Sequence, residues 1–380
     1  MENNLIGHIG IKFDLPTSWR HGRGIVSQTG KVLKSLRCRR PLILTDKYLL
    51  SAGFVEPVIN SLKNDDITYF ICDEVTMEPT VTLFESIADK LDLKSFDSIV
   101  AVGGGSVLDV SKGLSVIGSF GGNIRDYDGF DLIPGVPGIR VIAIPTTSGT
   151  GSEVSDGAVL IDESRDTKFI VISKKICPAV ALTDPEMTRS MPPYVTACSG
   201  MDALVHAIES YISIGSNPVT ELFAQKAVML ISKGLKPAFK NGNDMEAREN
   251  MQIGATMAMT AAMNSYLGLC HAMAMPLCAL YKIPHGQVCG LLLPHVLKYN
   301  SPAVREKVDH IFNIMGFKDG YEGTHSLLND LKLSAGLTDF GFKDSHLQTI
   351  IQGTRGSAQM PTNPRAPTDS EIIDIVKKII

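Results

Sequence analysis

The sequence predicts two domains: an α/β domain on a parallel sheet over 1–185, then an all-helical domain over 186–380. Three observations carry this. Short apolar runs of strand length alternate with helical patterns up to about residue 182, the order that builds a parallel sheet with helices on both faces. After Asp184-Pro185 the strand signals fade, and from Pro192 the chain reads as long helices rich in Ala, Leu and Met. Finally, 380 residues are more than one hydrophobic core ordinarily serves.

In chain order, residues 1–20 read as a lead-in strand and His21-Gly22-Arg23-Gly24 as a glycine-rich turn. A helix is expected over 27–36, then a strand over 41–46, an apolar run that ends on Thr45-Asp46. A helix over 54–62, a strand over 67–71 and a helix over 81–91 follow. Next come a strand over 98–102, a helix over 110–116 and a strand over 140–144. Further short strands are expected over 159–161, 169–172 and 179–182. Continuous apolar runs of this length mark parallel strands covered on both faces.

Composition narrows the function classes. The formal net charge of −4 lacks the basic excess expected of a nucleic-acid binder or a polybasic membrane protein. Arg37-Cys38-Arg39-Arg40 reads as a short solvated cluster. The 7 cysteines are scattered without a C-x-x-C pair, which argues against a disulfide framework and fits a reduced, cytoplasmic setting. The N-terminus has no basic stretch ahead of an apolar run, so no signal peptide is expected. Residues 250–281 carry no Asp, Glu, Lys or Arg and are long enough to span a bilayer. Gln252, Asn264, His271 and Pro276, with Gly254 and Gly268, make a pair of buried core helices the better reading.

Two strand-end loops carry the first chemical signal. Gly103-Gly104-Gly105-Ser106 follows a strand and opens a helix. Glycines there admit a pyrophosphate close to the backbone, and the helix start offers free N–H groups. Pro145-Thr146-Thr147-Ser148-Gly149-Thr150-Gly151-Ser152 is a second such loop, dense in hydroxyls. Paired loops at strand C-termini are where an open α/β sheet binds nucleotides. Asp46 ends an earlier strand, where a carboxylate accepts from a ribose 2′-OH and repels a 2′-phosphate; this favours NAD over NADP. The alternative role of Asp46 is a helix N-cap. Asp109 and Lys112 fall on the first turns after the triple glycine, Asp109 read as a dipole partner and Lys112 as a solvated surface charge.

The second signal lies between residues 199 and 287. Asp202 and His206 are spaced i,i+4, which places both on one face of a helix. His271 and His285 follow, the latter in Pro284-His285-Gly286, read as a turn that presents an imidazole from a fixed backbone. One carboxylate and three imidazoles suit a divalent first-row metal, Fe(II) or Zn(II). His295 and His310 have no such context and read as structural.

With these stretches in order, together with Thr183-Asp184-Pro185, Leu293-Pro294-His295 and Asn363-Pro364-Arg365, the chain resembles the iron-dependent (group III) alcohol dehydrogenases over nearly its whole length. The resemblance implies an N-terminal dinucleotide-binding domain, a helical catalytic domain and a site between them. It implies Asp202, His206, His271 and His285 as the metal ligands. It implies Asp46, Gly103, Gly104, Gly105, Ser106, Asp109, Thr146, Thr147, Ser148, Thr150, Ser152, Lys168 and Leu182 as cofactor contacts. It also implies a small alcohol or aldehyde substrate and a homodimer or larger homo-oligomer. A lyase or cyclase of the dehydroquinate-synthase type is the alternative, disfavoured by the loop ending Gly151-Ser152-Glu153 and by the Asp202/His206 helix.

Two departures stand out. The family often carries H-x-M-x-H-P, but here the second histidine position is Met275, and a thioether relays no proton. Arg355 and Gln359, four residues apart before Asn363, are expected to contact an anionic substrate such as sulfoacetaldehyde if both face the site.

Overall fold

The computed structural model describes residues 10–164 and 167–380, the side chains of Thr167 and Lys168 excepted. Its nine strands are β1 (Ser18–His21), β2 (Pro41–Leu44), β3 (Phe70–Cys72), β4 (Ser98–Gly103), β5 (Gly129–Phe130), β6 (Arg140–Pro145), β7 (Gly157–Asp162), β8 (Thr167–Ile172) and β9 (Val180–Thr183). Five α-helices lie among them: α1 (Thr29–Ser35), α2 (Lys47–Ser51), α3 (Glu56–Asn64), α4 (Val81–Lys90) and α5 (Gly105–Phe120). After β9 the chain is helical: α6 (Pro193–Ile212), α7 (Pro218–Lys240), α8 (Met245–Ser265), α9 (Leu269–Tyr281), α10 (His285–Met315), α11 (Gly320–Asp330), α12 (Leu347–Arg355) and α13 (Asp369–Val376).

Six strands form one parallel sheet in the order β1-β9-β6-β4-β2-β3. Every residue of β2, β4 and β9 is buried, as continuous apolar strands require. Alternate residues feed two separate cores. Ile43, Val100, Val102, Ile142 and Ile144 pack on one face; Leu42, Leu44, Ile99, Ala101 and Ala143 pack on the other.

The remaining three strands lie outside this sheet. The sequence predicted short strands over 159–161 and 169–172 without their partners; β7 and β8 pair antiparallel in a second sheet of order β5-β8-β7. Its residues join the core under α4 and α5 through Ala158, Leu160, Phe169 and Val171. The short helix α2 and the two-residue strand β5 also went unforeseen.

The helical part has its own core, running from Ala197 to Ile379. Starts are set by local chemistry. Asn217 caps α7 and is followed by Pro218, while Asp244 caps α8 through the amide of Ala247. The uncharged stretch 250–281 becomes the buried end of α8 and all of α9. Among the described residues no helix is long and apolar enough to cross a membrane.

Candidate metal centre and nucleotide site

Helix α6 carries Asp202 and His206 on one face, both buried. His271 lies in the first turn of α9, and His285 is the first residue of α10. His285 is therefore not in a turn, as the sequence suggested; Pro284 is the cap and the helix runs on from the histidine. Gly286 explains how α10 gets close enough. A Cβ there would stand 1.8 Å from the carbonyl oxygen of Cys198, so only glycine lets the start of α10 lie directly on α6.

The three imidazoles converge on one carboxylate oxygen. Asp202 Oδ1 is 3.6 Å from His271 Nε2, 3.7 Å from His285 Nε2 and 3.9 Å from His206 Nε2. Asp202 Oδ1 and His271 Nε2 are buried and have no hydrogen-bond partner, a costly state for a protein interior. The donor set, its spacing and these two orphaned atoms fit a divalent first-row ion.

Electrostatics reinforce this. Burial opposes ionisation of Asp202, but the facing His206, His271 and His285 outweigh it and hold its carboxyl well below the usual range. Burial also pushes His206 down to about 4 against the pull of Asp202. His271 goes the other way: burial opposes its charge, yet the facing Asp202 carboxylate and the Glu209 carboxylate bonded to its Nδ1 carry it up to about 9.

Glu209 was missed as a functional residue. Its carboxylate accepts from His271 Nδ1 at 2.7 Å and from the backbone amides of Gly268, Cys270 and His271. It thereby fixes the imidazole with Nε2 toward Asp202 and also stabilises the start of α9. The signal available was its place in the Asp202/His206 motif, one turn beyond His206. Met275 follows His271 by one turn of α9 and is half-buried.

The nucleotide loops meet as the strand order dictates. β4 and β6 are neighbours with Gly103 opposite Pro145, so the loops that follow them lie side by side. Thr147 packs against Gly104 and Thr150 against Gly105. Gly104 caps α5, whose N-terminus therefore opens between the loops. Ser148 Oγ is buried without a partner. Thr146 is buried too, with its amide donating to the Gly103 carbonyl. A Cβ on Gly149 would come within 2.7 Å of Ser199 Cβ, so this loop lies against α6, the helix bearing Asp202 and His206.

Several expected contacts sit differently. Lys112 is not a surface charge: it is fully buried and donates to Ser152 Oγ, Ser155 Oγ and the Gly157 carbonyl at 2.7–2.9 Å. Ser152 Oγ donates in turn to Asp109 Oδ1 at 2.6 Å, and Val159 N donates to Asp109 Oδ2. Asp109 and Ser152 thus tie the second loop to α5 through their side chains. Ser106 Oγ accepts from the amide of Glu78. Asp46 does cap α2, Oδ1 accepting from the Leu49 amide at 2.8 Å, and keeps Oδ2 for another partner. The Leu182 side chain is fully buried in the sheet core, so it packs rather than faces a ligand. The side chain of Lys168 lies outside the described residues.

Arg355 and Gln359 do not form an open anion cradle. The Arg355 guanidinium is half-exposed and paired with Asp369, with a further bond to the Pro367 carbonyl. Gln359 Oε1 accepts from the Leu267 amide. The ion pair with Asp369 and the bond to the Leu267 amide occupy the two side chains that the spacing alone suggested for substrate.

Comparisons with known proteins give the family. Residues 16–185 match the family model for iron-containing alcohol dehydrogenase, and residues 196–380 that for the Fe-containing alcohol dehydrogenase family, C-terminal. The NAD-dependent methanol dehydrogenase of Bacillus methanolicus is 33% identical, with 97% of this chain and 99% of that protein covered. The crystal structure of a 1,3-propanediol oxidoreductase superposes with a TM-score of 0.93 at 31% identity, covering 98% of this chain and 100% of the other. Sulfoacetaldehyde reductase from Bifidobacterium kashiwanohense, solved in complex with NAD+, superposes with a TM-score of 0.90 at 29% identity, covering 98% and 99%. With its two family halves in sequence, this chain belongs to the iron-containing alcohol dehydrogenases.

Proposed function

We propose that this alcohol dehydrogenase works as an NAD-linked aldehyde reductase, interconverting a small primary alcohol and its aldehyde by hydride transfer. One observation carries the reading. The Thr146–Ser152 loop, packed on α6 through Gly149, brings a nucleotide-binding wall against the helix that holds Asp202 and His206. A cofactor and a small substrate would share that boundary.

The division of labour follows from the residues. Asp202, His206, His271 and His285 would hold the ion, His271 oriented by Glu209. A bound Fe(II) or Zn(II) would supply Lewis acidity toward the substrate oxygen. The amides at the start of α5 and the glycines before them suit the pyrophosphate of NAD. Asp46 Oδ2 suits the adenosine ribose and disfavours a 2′-phosphate. Thr146, Thr147, Ser148 and Thr150 line the second wall and help fix the orientation of the cofactor, which is how such sites gain rate. Met275 Sδ cannot carry a proton, so either water and the nicotinamide ribose hydroxyl would carry it in this chain or the pocket is shaped for another substrate.

An aldehyde with an anionic group is the second reading, favoured by the likeness to the sulfoacetaldehyde reductase structure. Pairing of Arg355 with Asp369 means that another group must supply the positive charge. No disulfide joins cysteines among the described residues, which accords with a cytoplasmic setting, and a homodimer or larger assembly completes the proposal. The test is NADH and NADPH oxidation by metal-replete protein with propanal and sulfoacetaldehyde side by side. Preference for NADH with propanal supports the main reading; a strong preference for sulfoacetaldehyde moves the assignment to the second. Inactivity with both, and with a wider set of short aldehydes, overturns the reductase reading.

A further inference from the structure

Cys289 stands one helical turn after His285 on α10, fully buried. Its Sγ lies 3.5 Å from His285 Nε2, the nitrogen that faces Asp202. Asp202, His271, His285 and Cys289 each offer a donor atom, and these atoms all lie within 4.8 Å of one another. Donors on one tetrahedral ion with bonds of about 2.0–2.3 Å stand about 3.3–3.7 Å apart. Three of the separations, at 3.5, 3.6 and 3.7 Å, match that spacing and the others lie within 4.8 Å, while His206 Nε2 stands 3.9 Å from Asp202 Oδ1. Two of the donors, Asp202 Oδ1 and His271 Nε2, are the buried atoms without hydrogen-bond partners.

The other nearby thiols point elsewhere. Cys278 Sγ meets the opposite side of the same ring, 3.6 Å from His285 Nδ1. Cys270 Sγ is directed at the Cys289 carbonyl at 3.3 Å.

Resting on the metal-centre reading above, we propose that Cys289 is itself a metal ligand, so that the centre holds a thiolate beside its carboxylate and imidazoles. On coordination the S–H proton leaves to solvent and a sulfur lone pair makes the metal–sulfur bond, with no change of oxidation state. A thiolate softens the donor set and shifts its preference toward Zn(II) over Fe(II).

Cobalt-substituted protein tests this by absorption spectroscopy. Wild type, loaded to one Co(II) per chain, is expected to show an ultraviolet thiolate-to-cobalt charge-transfer band. Cys289→Ala should lose the band, and Cys278→Ala should keep it. A wild-type cobalt protein without the band, or a band that survives in Cys289→Ala, overturns the proposal. X-ray absorption of zinc-loaded wild type reads the same point without a variant: a sulfur neighbour at about 2.3 Å supports it, and a shell of nitrogen and oxygen alone refutes it. Wild-type protein that binds neither ion overturns the metal-centre reading, and this proposal with it.

Discussion

Glu209 reaches across from α6 to receive His271 and three amides of α9. Such a contact depends on two helices far apart in the chain, which is why no local pattern betrays it. Glu209→Gln puts an amide NH2 against donors that need an acceptor, so metal affinity should fall about 10–100-fold; competition with a chromogenic chelator measures it. Asp202→Ala should bind no metal at all, checked by elemental analysis after desalting. At this scale legibility followed spacing. Asp202 and His206 were readable because four residues make one helical turn. Cys289 has the same spacing from His285, but reading Pro284-His285-Gly286 as a turn hid the helix that continues beyond it. Arg355 and Gln359 share that spacing too, yet Asp369 pairs with the first and the Leu267 amide with the second. Arg355→Ala should accordingly leave the KM for anionic and neutral aldehydes alike, and cost no more than about 1 kcal/mol of stability.

Two contacts between elements govern how the loops and helices are held. The first is α10 on α6. Gly286→Ala forces a methyl group into the Cys198 carbonyl, so the start of α10 must shift, taking His285 with it. A stability loss of about 1–3 kcal/mol by denaturant titration and a lowered metal content are expected together. The second is α5 against the loop after β6. Burial pushes Asp109 up and Lys112 down, each partly offset by the other across 3.7 Å. Lys112→Met would strand the Asp109 carboxylate in the interior, at a cost of about 3–5 kcal/mol. Adding Asp109→Leu should restore part of it in a double-mutant cycle. The strand-helix alternation revealed β2, β4, β6 and β9 because each is a continuous apolar run. It could not reveal that β7 turns back on β8, since partner choice depends on which edge is open after folding.

The whole molecule joins its halves through polar contacts along α8. Glu153, in the second nucleotide loop, accepts from Thr256 at 2.6 Å; Gln252 donates to the Asp184 carbonyl; Glu249 meets Arg23 and His21. The change in texture near residue 185 was plain in the sequence, while these cross-contacts were not, because polar residues scattered on a helix carry no period. Global stability should also depend on pH through His295. Burial, with His325, Lys378 and Lys298 nearby, depresses it to about 4, below its unfolded value of 6.5. Between those values the unfolded chain binds the extra proton, so the contribution is complete above 6.5 and is lost as pH falls toward 4. The thermal midpoint of His295→Asn should drop less than that of wild type over this window.

A centre that joins a metal to NAD for hydride transfer must couple NADH loss to alcohol formation, and do so only with the metal in place. Metal-replete protein is mixed with NADH and a short aldehyde, and NADH loss is compared with alcohol formed. The prediction is one NADH consumed per alcohol, activity abolished by chelation and restored by adding Fe(II) or Zn(II). NADH that stays unchanged in metal-replete protein across short aldehydes, or turnover indifferent to chelation after the metal has demonstrably left, would contradict it.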